Sequence, residues 1–228
     1  MFDRSLIHGD LIFKPKDIVS GDFFWCAEVD DLVFVAVVDC TGHGVPGAFM
    51  SMIGNTLLND IVKVKRVTDP GKILEMLDQG VNLEMNKEEN QDTIDGMDVA
   101  ICVINRNESK LEFSGACRPL FYLENGNFME VKGTKKSIGD RKKENRFVTT
   151  SIKIDNSTVV YLFSDGLVDQ NNEAGDKFGV QKLREFIKEN ATLPVNQQKE
   201  LLNKMIDDFM GNEVQRDDIT AAIFKPFN

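Results

Sequence analysis

Residues 21–39 read GDFFWCAEVDDLVFVAVVD. Two apolar runs rich in aromatic and β-branched residues, Gly21 to Val29 and Leu32 to Asp39, flank an Asp30-Asp31 pair. Runs of this length broken by a short polar step predict a β-hairpin. The period then changes. Pro46 opens a stretch in which Phe49, Met52, Ile53, Leu57 and Ile61 recur at helical spacing. Proline suits a first helical position, where its missing N–H has no partner to lose.

Working outward, Pro70 to Asn86 predicts a second helix, with Ile73, Leu74, Leu77, Val81 and Leu83 on its apolar side. A strand-rich block follows: Met97 to Ile104, Lys110 to Ser114, Leu120 to Leu123, Phe128 to Val131, Arg146 to Ile154 and Thr158 to Phe163. Short turns such as NRNES and ENGN favour antiparallel pairing. Two helices, Val180 to Glu189 and Val195 to Met210, precede a last strand, Ile219 to Phe224. Strands and helices in groups, without βαβ alternation, predict an α+β fold. The expected architecture is a four-layer α/β/β/α sandwich: two antiparallel sheets face to face, helices outside. No repeat, low-complexity stretch or Pro/Gly/Ser linker divides the chain, so residues 1–228 are expected to form a single domain.

Composition narrows the function classes. The 228 residues are 42% hydrophobic, enough for a sizeable core. The longest apolar run, Leu32 to Val38, falls far short of the roughly 20 residues that span a bilayer. The start, MFDRSLIHGD, has no signal-peptide h-region, so a cytoplasmic location and no membrane insertion are expected. A net charge of −10 argues against nucleic acid, whose phosphates need clustered Lys and Arg. KVKR near Val64 and DRKKENR near Arg141 are short basic patches that read as solvated loops or strand ends. Cys26, Cys40, Cys102 and Cys117 form no C-x-x-C pair and read as free thiols in a reducing compartment. His8 and His43 are too few for a His/Cys zinc site.

The acidic residues carry more. Asp22 opens a strand in VSGDFFW, Asp39 ends LVFVAVVD, Asp165 ends VVYLFSD, and Asp217-Asp218 start DDITAAIF. A carboxylate at the lip of an apolar strand is held by the core yet can point outward. Several such strand ends on one edge of a sandwich bring together carboxylates that are far apart in sequence. Clustered carboxylates repel, so near neutral pH they share protons or bind cations. An all-oxygen set selects hard ions such as Mg²⁺, Mn²⁺ or Ca²⁺.

The motifs VSGDFFW, DCTGHGVPGAF, YLFSDGLVDQ and RDDIT occur in this order. With DGMDVAIC, LEFSGACRPLFYL and KKSIG between them, the chain from about Leu11 to Phe224 resembles the SpoIIE-like branch of the protein phosphatase 2C superfamily. That resemblance implies two antiparallel sheets flanked by helices, agreeing with the pattern above. It implies a phosphoserine/phosphothreonine protein phosphatase with two Mn²⁺ or Mg²⁺ ions, and direct attack of a metal-bridging hydroxide on phosphorus. Asp39 would bridge both metals and Asp22 would join it. Cys40 would offer its backbone carbonyl, and Asp165 and Asp217 would ligate from the far side. Asp218 reads as a turn or supporting residue. Asp169 is a candidate for a third, weaker metal or a plain surface residue. His43 is a candidate proton donor or a structural residue of the Gly42–Gly44 turn. Lys14 or Lys16 is a candidate substitute for the phosphate-gripping arginine of eukaryotic relatives. The branch acts in bacterial signalling on phosphorylated partners, often anti-sigma-factor antagonists, and often lies behind sensor regions of larger proteins.

Other readings compete. Gly42-His43-Gly44-Val45-Pro46-Gly47 is formally a dinucleotide-binding G-x-G-x-x-G. It follows Asp39 too late, and an aspartate there would oppose a pyrophosphate. A catalytically silent, partner-binding module of the same fold would be signalled by loss of a metal aspartate, and none is missing. No EF-hand loop and no P-loop motif occurs.

Overall fold

The computed structural model describes residues 8–84, 96–141 and 146–227. Among the described residues, ten strands form two antiparallel five-stranded sheets. The first sheet runs β2 (Phe23–Val29), β3 (Leu32–Cys40), β4 (Met97–Asn105), β5 (Lys110–Ala116), β8 (Thr150–Lys153). The second runs β1 (His8–Lys14), β10 (Ile219–Lys225), β9 (Val159–Phe163), β6 (Leu120–Glu124), β7 (Asn127–Val131). Helices α1 (Gly44–Asn59) and α2 (Pro70–Glu84) cover the first sheet. Helices α4 (Gly179–Glu189) and α5 (Val195–Met210) cover the second, and a one-turn helix α3 (Asp165–Asp169) follows β9. The expected four-layer sandwich is the observed fold.

Three apolar layers hold it. Between the sheets lie Val33, Val35, Val37, Ala100 and Cys102 on one side and Leu120, Tyr122, Val160, Leu162 and Ala222 on the other. Phe34, Ala36, Val38, Val99 and Ile101 turn the opposite way onto Leu58, Ile73, Leu74 and Leu77 of the helices. This explains why the run 32–39 is apolar without alternation: both faces of β3 are covered. The outer face of the second sheet packs Tyr161, Phe163 and Ile223 on Leu183, Phe186, Leu202 and Ile206.

Several boundaries differ from the sequence reading. Strand β1 was not expected. The first helix begins two residues before Pro46, which sits in its first turn, where an N–H has no intrahelical partner anyway. A π-helical turn, Asp60–Val64, extends α1 and carries part of the KVKR patch, where Lys65 pairs with Asp60 at 2.7 Å. Of the expected strand Arg146 to Ile154, Thr150–Lys153 is extended in the sheet. Phe147 is diverted into the core beneath α2, and the Thr149 hydroxyl accepts from the Gly71 N–H at 3.0 Å. Asn86 of the second helix and most of the basic patch after Arg141 lie outside the described residues.

Candidate metal centre

Strand alternation decides where the acids point. Phe24 and Cys26 face the space between the sheets, so Asp22, two residues before Phe24, points the same way. Asp39 follows Val35 and Val37 on that inner face, and Asp98 precedes Ala100 and Cys102 on it. The β3–β4 ladder sets Asp39 directly opposite Asp98. In the second sheet, β9 ends and β10 begins at this same rim: Phe163 pairs with Ala221, and Lys14 with Ile219. Asp165 and Asp217 therefore arrive from the facing sheet. The Asp165 N–H donates to Asp39 Oδ2 at 3.1 Å, joining the two sheets at the rim.

These groups feel one another. Burial pushes the Asp22 carboxyl up to about 7, opposed by the Ser164 and Thr220 hydroxyls and reinforced by Asp218 and Asp217. Burial also holds Asp39 well above the usual carboxylate range, with Asp22 and Asp165 adding to the rise and Arg118 opposing it. Asp217 is raised first by burial and also by Asp165 and Asp218, opposed by the hydrogen bond it accepts from the Asp218 N–H at 2.9 Å. Asp22, Asp39, Asp165 and Asp217 thus share one field at one rim. Asp22 is 4% exposed, and its Oδ2 has no hydrogen-bond partner among the described residues. An orphaned, buried carboxylate oxygen in an all-oxygen group fits a hard cation.

Among the described residues, no three His, Cys, Asp or Glu side chains already surround a common point as a metal cage. The guanidinium of Arg118 lies among three acids of this rim, Asp39, Asp98 and Asp165. Arg118 Nε and Nη2 donate to Asp98 Oδ2 at 3.1 and 2.6 Å. Nη2 also donates to Asp165 Oδ2 at 2.7 Å and lies 3.8 Å from Asp39 Oδ2. Neither Asp98 nor Arg118 was singled out from sequence. Asp98 opens an apolar strand as Asp22 does, so the same rule could have found it; a lone arginine between two strands gives no periodic signal.

The remaining candidates take distinct places. Cys40 is buried on the helix side of β3, and its thiol is pushed well up by burial and by Asp39, Asp22 and Asp218. Asp218, buried, accepts from the backbone N–H of Lys16 at Oδ1 and of Gly21 at Oδ2, both at 2.7 Å. It clamps the loop before Asp22 onto β10. Asp169 pairs with Lys177 at 3.0 Å beside Asp165, Arg216 and Asp217, around a cavity of about 250 Å³. His43 precedes α1 in an extended conformation. Its Nε2 accepts from the Lys16 ammonium at 2.9 Å, so Nδ1 carries the proton donated to Asp17 Oδ2 at 2.7 Å. Lys16 is thereby engaged with His43, and Lys14 pairs with Asp207.

The glycines of the formal dinucleotide pattern are used by the protein itself. A Cβ on Gly47 would fall 2.3 Å from the Gly42 carbonyl oxygen and 2.9 Å from the Gly21 Cα. The α1 N-terminus therefore packs backbone to backbone against the loop that leads into Asp22. A larger cleft of about 470 Å³ lies at the far end of β1, against the start of α5, and includes none of the acidic group. No cysteine is in a disulfide, and no helix among the described residues is long and apolar enough to cross a membrane.

Comparison with known proteins agrees with this architecture. The SiaA-PP2C domain of Pseudomonas aeruginosa is 30% identical, with a TM-score of 0.86, 96% of this chain covered and 85% of that one. The PP2C phosphatase domain of SpoIIE from Bacillus subtilis, solved with a regulatory fragment, is 18% identical, with a TM-score of 0.77. That match covers 96% of this chain and 63% of the SpoIIE chain. RsbX in complex with magnesium is 14% identical, with a TM-score of 0.65 and coverage of 96% and 98%. At their identities the last two show the fold alone. No curated protein sequence matches. The family model for stage II sporulation protein E matches residues 30–226, a segment holding Asp39, Asp165, Asp169 and Asp217. With most of its length inside that match and the same two-sheet fold as the SiaA domain, the chain belongs to the SpoIIE family of PP2C-type phosphatase domains.

Proposed function

We propose that residues 1–228 form one catalytic domain, a metal-dependent phosphoserine/phosphothreonine protein phosphatase of bacterial signalling. The observation that carries the reading is the meeting of Asp22, Asp39, Asp165 and Asp217 at one rim, with a buried Asp22 oxygen left unpartnered. Asp39, between the fields of Asp22 and Asp165, would hold both of two Mn²⁺ or Mg²⁺ ions. Asp22, Asp165, Asp217 and the Cys40 carbonyl would complete their shells. The magnesium bound by RsbX, a protein of the same fold, supports that class of ion. When bound, the ions supply an acidified water as nucleophile and neutralise charge on the phosphoryl oxygens. Asp169, now paired with Lys177, would take part in a third, weaker ion site on release from that lysine.

The chain's own groups favour direct displacement over a phosphoenzyme. Burial holds the Cys40 and Cys102 thiols protonated, which removes them as nucleophiles. The Ser164 hydroxyl is buried and accepts from the Thr220 N–H at 3.0 Å. His43 serves the loop of Lys16 and Asp17 rather than the leaving oxygen. Lys177 and Arg216 rim the acidic cavity, where a phosphorylated segment of a partner protein would enter. A switch protein such as an anti-sigma-factor antagonist in the cytoplasm is the expected substrate.

The test is hydrolysis of p-nitrophenyl phosphate and of a phosphoserine peptide with Mn²⁺ or Mg²⁺, with and without chelator. Turnover that vanishes on chelation is the expected result. Folded protein that binds neither ion and cleaves neither substrate overturns the reading and favours a silent, partner-binding module.

A further inference from the structure

An acidic rim must accept an anionic phosphoryl group. Cations bound there would carry part of that task, and the field of four carboxylates leaves room for a fixed positive side chain. The guanidinium reaching that rim belongs to Arg118, on the connection between β5 and β6 that passes from one sheet to the other. We infer that Arg118 is the phosphoryl-binding residue of this site, anchored through Asp98. The inference rests on the phosphatase reading and adds a residue to it.

The connection is built to aim this side chain. Cys117, immediately before it, takes a left-handed φ of 57°, which a non-glycine residue adopts at a cost. The turn is locked from one side: Cys117 N–H donates to the Thr134 carbonyl and Thr134 N–H to the Gly115 carbonyl, both at 2.8 Å. Gly115 and Gly133 let the Arg118 backbone approach closely. A Cβ at either would sit 2.1 or 2.4 Å from its carbonyl oxygen. A backbone held on both sides leaves the guanidinium a short reach, and its side chain is 14% exposed, open at the rim.

The hydrogen bonds divide by role. Asp165, a proposed ion ligand, accepts one hydrogen bond from Nη2, and Asp39, another, lies 3.8 Å away without one; both would leave the guanidinium on binding a cation. Asp98 is not among those ligands, and it keeps both Nε and Nη2. Pinned there, the guanidinium can present its remaining N–H groups to phosphoryl oxygens, a geometry that the planar fork of arginine suits and lysine does not. Two other cations nearby are less well placed. Lys16 is engaged with His43, and Arg216 lines the outer cavity beside Asp217.

The experiment titrates orthophosphate into the Mg²⁺-saturated protein by calorimetry, after a Mg²⁺ titration alone, for wild type, Arg118→Gln, Arg118→Lys and Arg216→Gln. A charge-assisted hydrogen-bonded pair is worth about 10–100-fold in affinity. Arg118→Gln is expected to weaken phosphate binding by that factor while binding Mg²⁺ at least as tightly as wild type, since a competing cation has gone. Arg118→Lys is expected to fall between, and it serves as the folded comparison should the glutamine variant not fold. Phosphate affinity unchanged in Arg118→Gln or Arg118→Lys, or lost in Arg216→Gln instead, overturns the inference and leaves the phosphatase reading standing. Wild-type protein that binds no Mg²⁺ overturns both.

Discussion

Asp39 and Asp98 oppose one another directly across the β3–β4 ladder, on the face that looks toward the second sheet. Like charges in that position destabilise a pair of strands. Arg118 offsets this repulsion without a metal. The same guanidinium also reaches Asp165, so one cation serves acids of both sheets.

Replacing Asp39 by Asn should therefore separate stability from activity. Turnover of p-nitrophenyl phosphate is expected to fall by about 10²–10³-fold, the scale of a lost electrostatic stabiliser. The chelated variant is expected to melt higher than chelated wild type, because a buried, raised carboxyl has been neutralised. Near-normal turnover would remove Asp39 from the chemistry. Asp169→Asn is expected to weaken turnover only partly.

The raised Asp22 carboxyl sets a pH dependence. Its folded pKa of about 7 exceeds the ordinary 3.8, so between these values the folded state holds a proton that the unfolded chain has released. That contribution to stability is complete at low pH and is lost as pH rises through 7. Thermal melts of chelated protein from pH 4 to 8 should show a falling contribution that Asp22→Asn abolishes. Added Mn²⁺ should raise the melting point most at the alkaline end, where the carboxylate is ionised. A wild-type and Asp22→Asn difference that is flat with pH would contradict this.

Asp218 has a different task from its neighbour. Asp218→Ala frees the Lys16 and Gly21 N–H groups and should cost about 3 kcal/mol, read from urea denaturation. Activity should fall with it, since the loop that places Asp22 loses its clamp. Unchanged stability would mean that water replaces the carboxylate at no cost.

His43→Ala tests the proton-donor idea. Both ring nitrogens are already engaged by Lys16 and Asp17. Turnover is expected to drop by about tenfold or less, below the roughly 10²–10⁴ contributed by a general acid. A larger loss together with a vanished alkaline limb of the pH–rate profile would restore that role.

Much of this was legible in the sequence, for physical reasons. A strand buried on both faces, such as β3, must be apolar throughout, and the period change at the Gly-rich step after it marks a helix. Asp22, Asp39, Asp165 and Asp217 stand out because each interrupts an apolar run at its end. Strand β1 hid because HGDLIFK mixes Asp10 and Lys14 into an edge position with one neighbour, where little burial is demanded. Helix α3 is one turn long, too short for any period to register. Phe147 looked like strand because its burial, against α2, cannot be told from burial in a sheet. Arg118 escaped because its importance comes from a backbone turn and two distant glycines, none of which leaves a pattern along the chain.

The β1–β10 pairing has a mechanical meaning. His8 lies opposite Lys225, while the other end of the same ladder, Lys14 opposite Ile219, abuts the acidic rim. Seven residues of extended chain separate those ends by roughly 20 Å. Anything tethered beside His8 or Lys225 would thus grip the molecule at the end remote from the acidic rim, as a handle lies away from a blade.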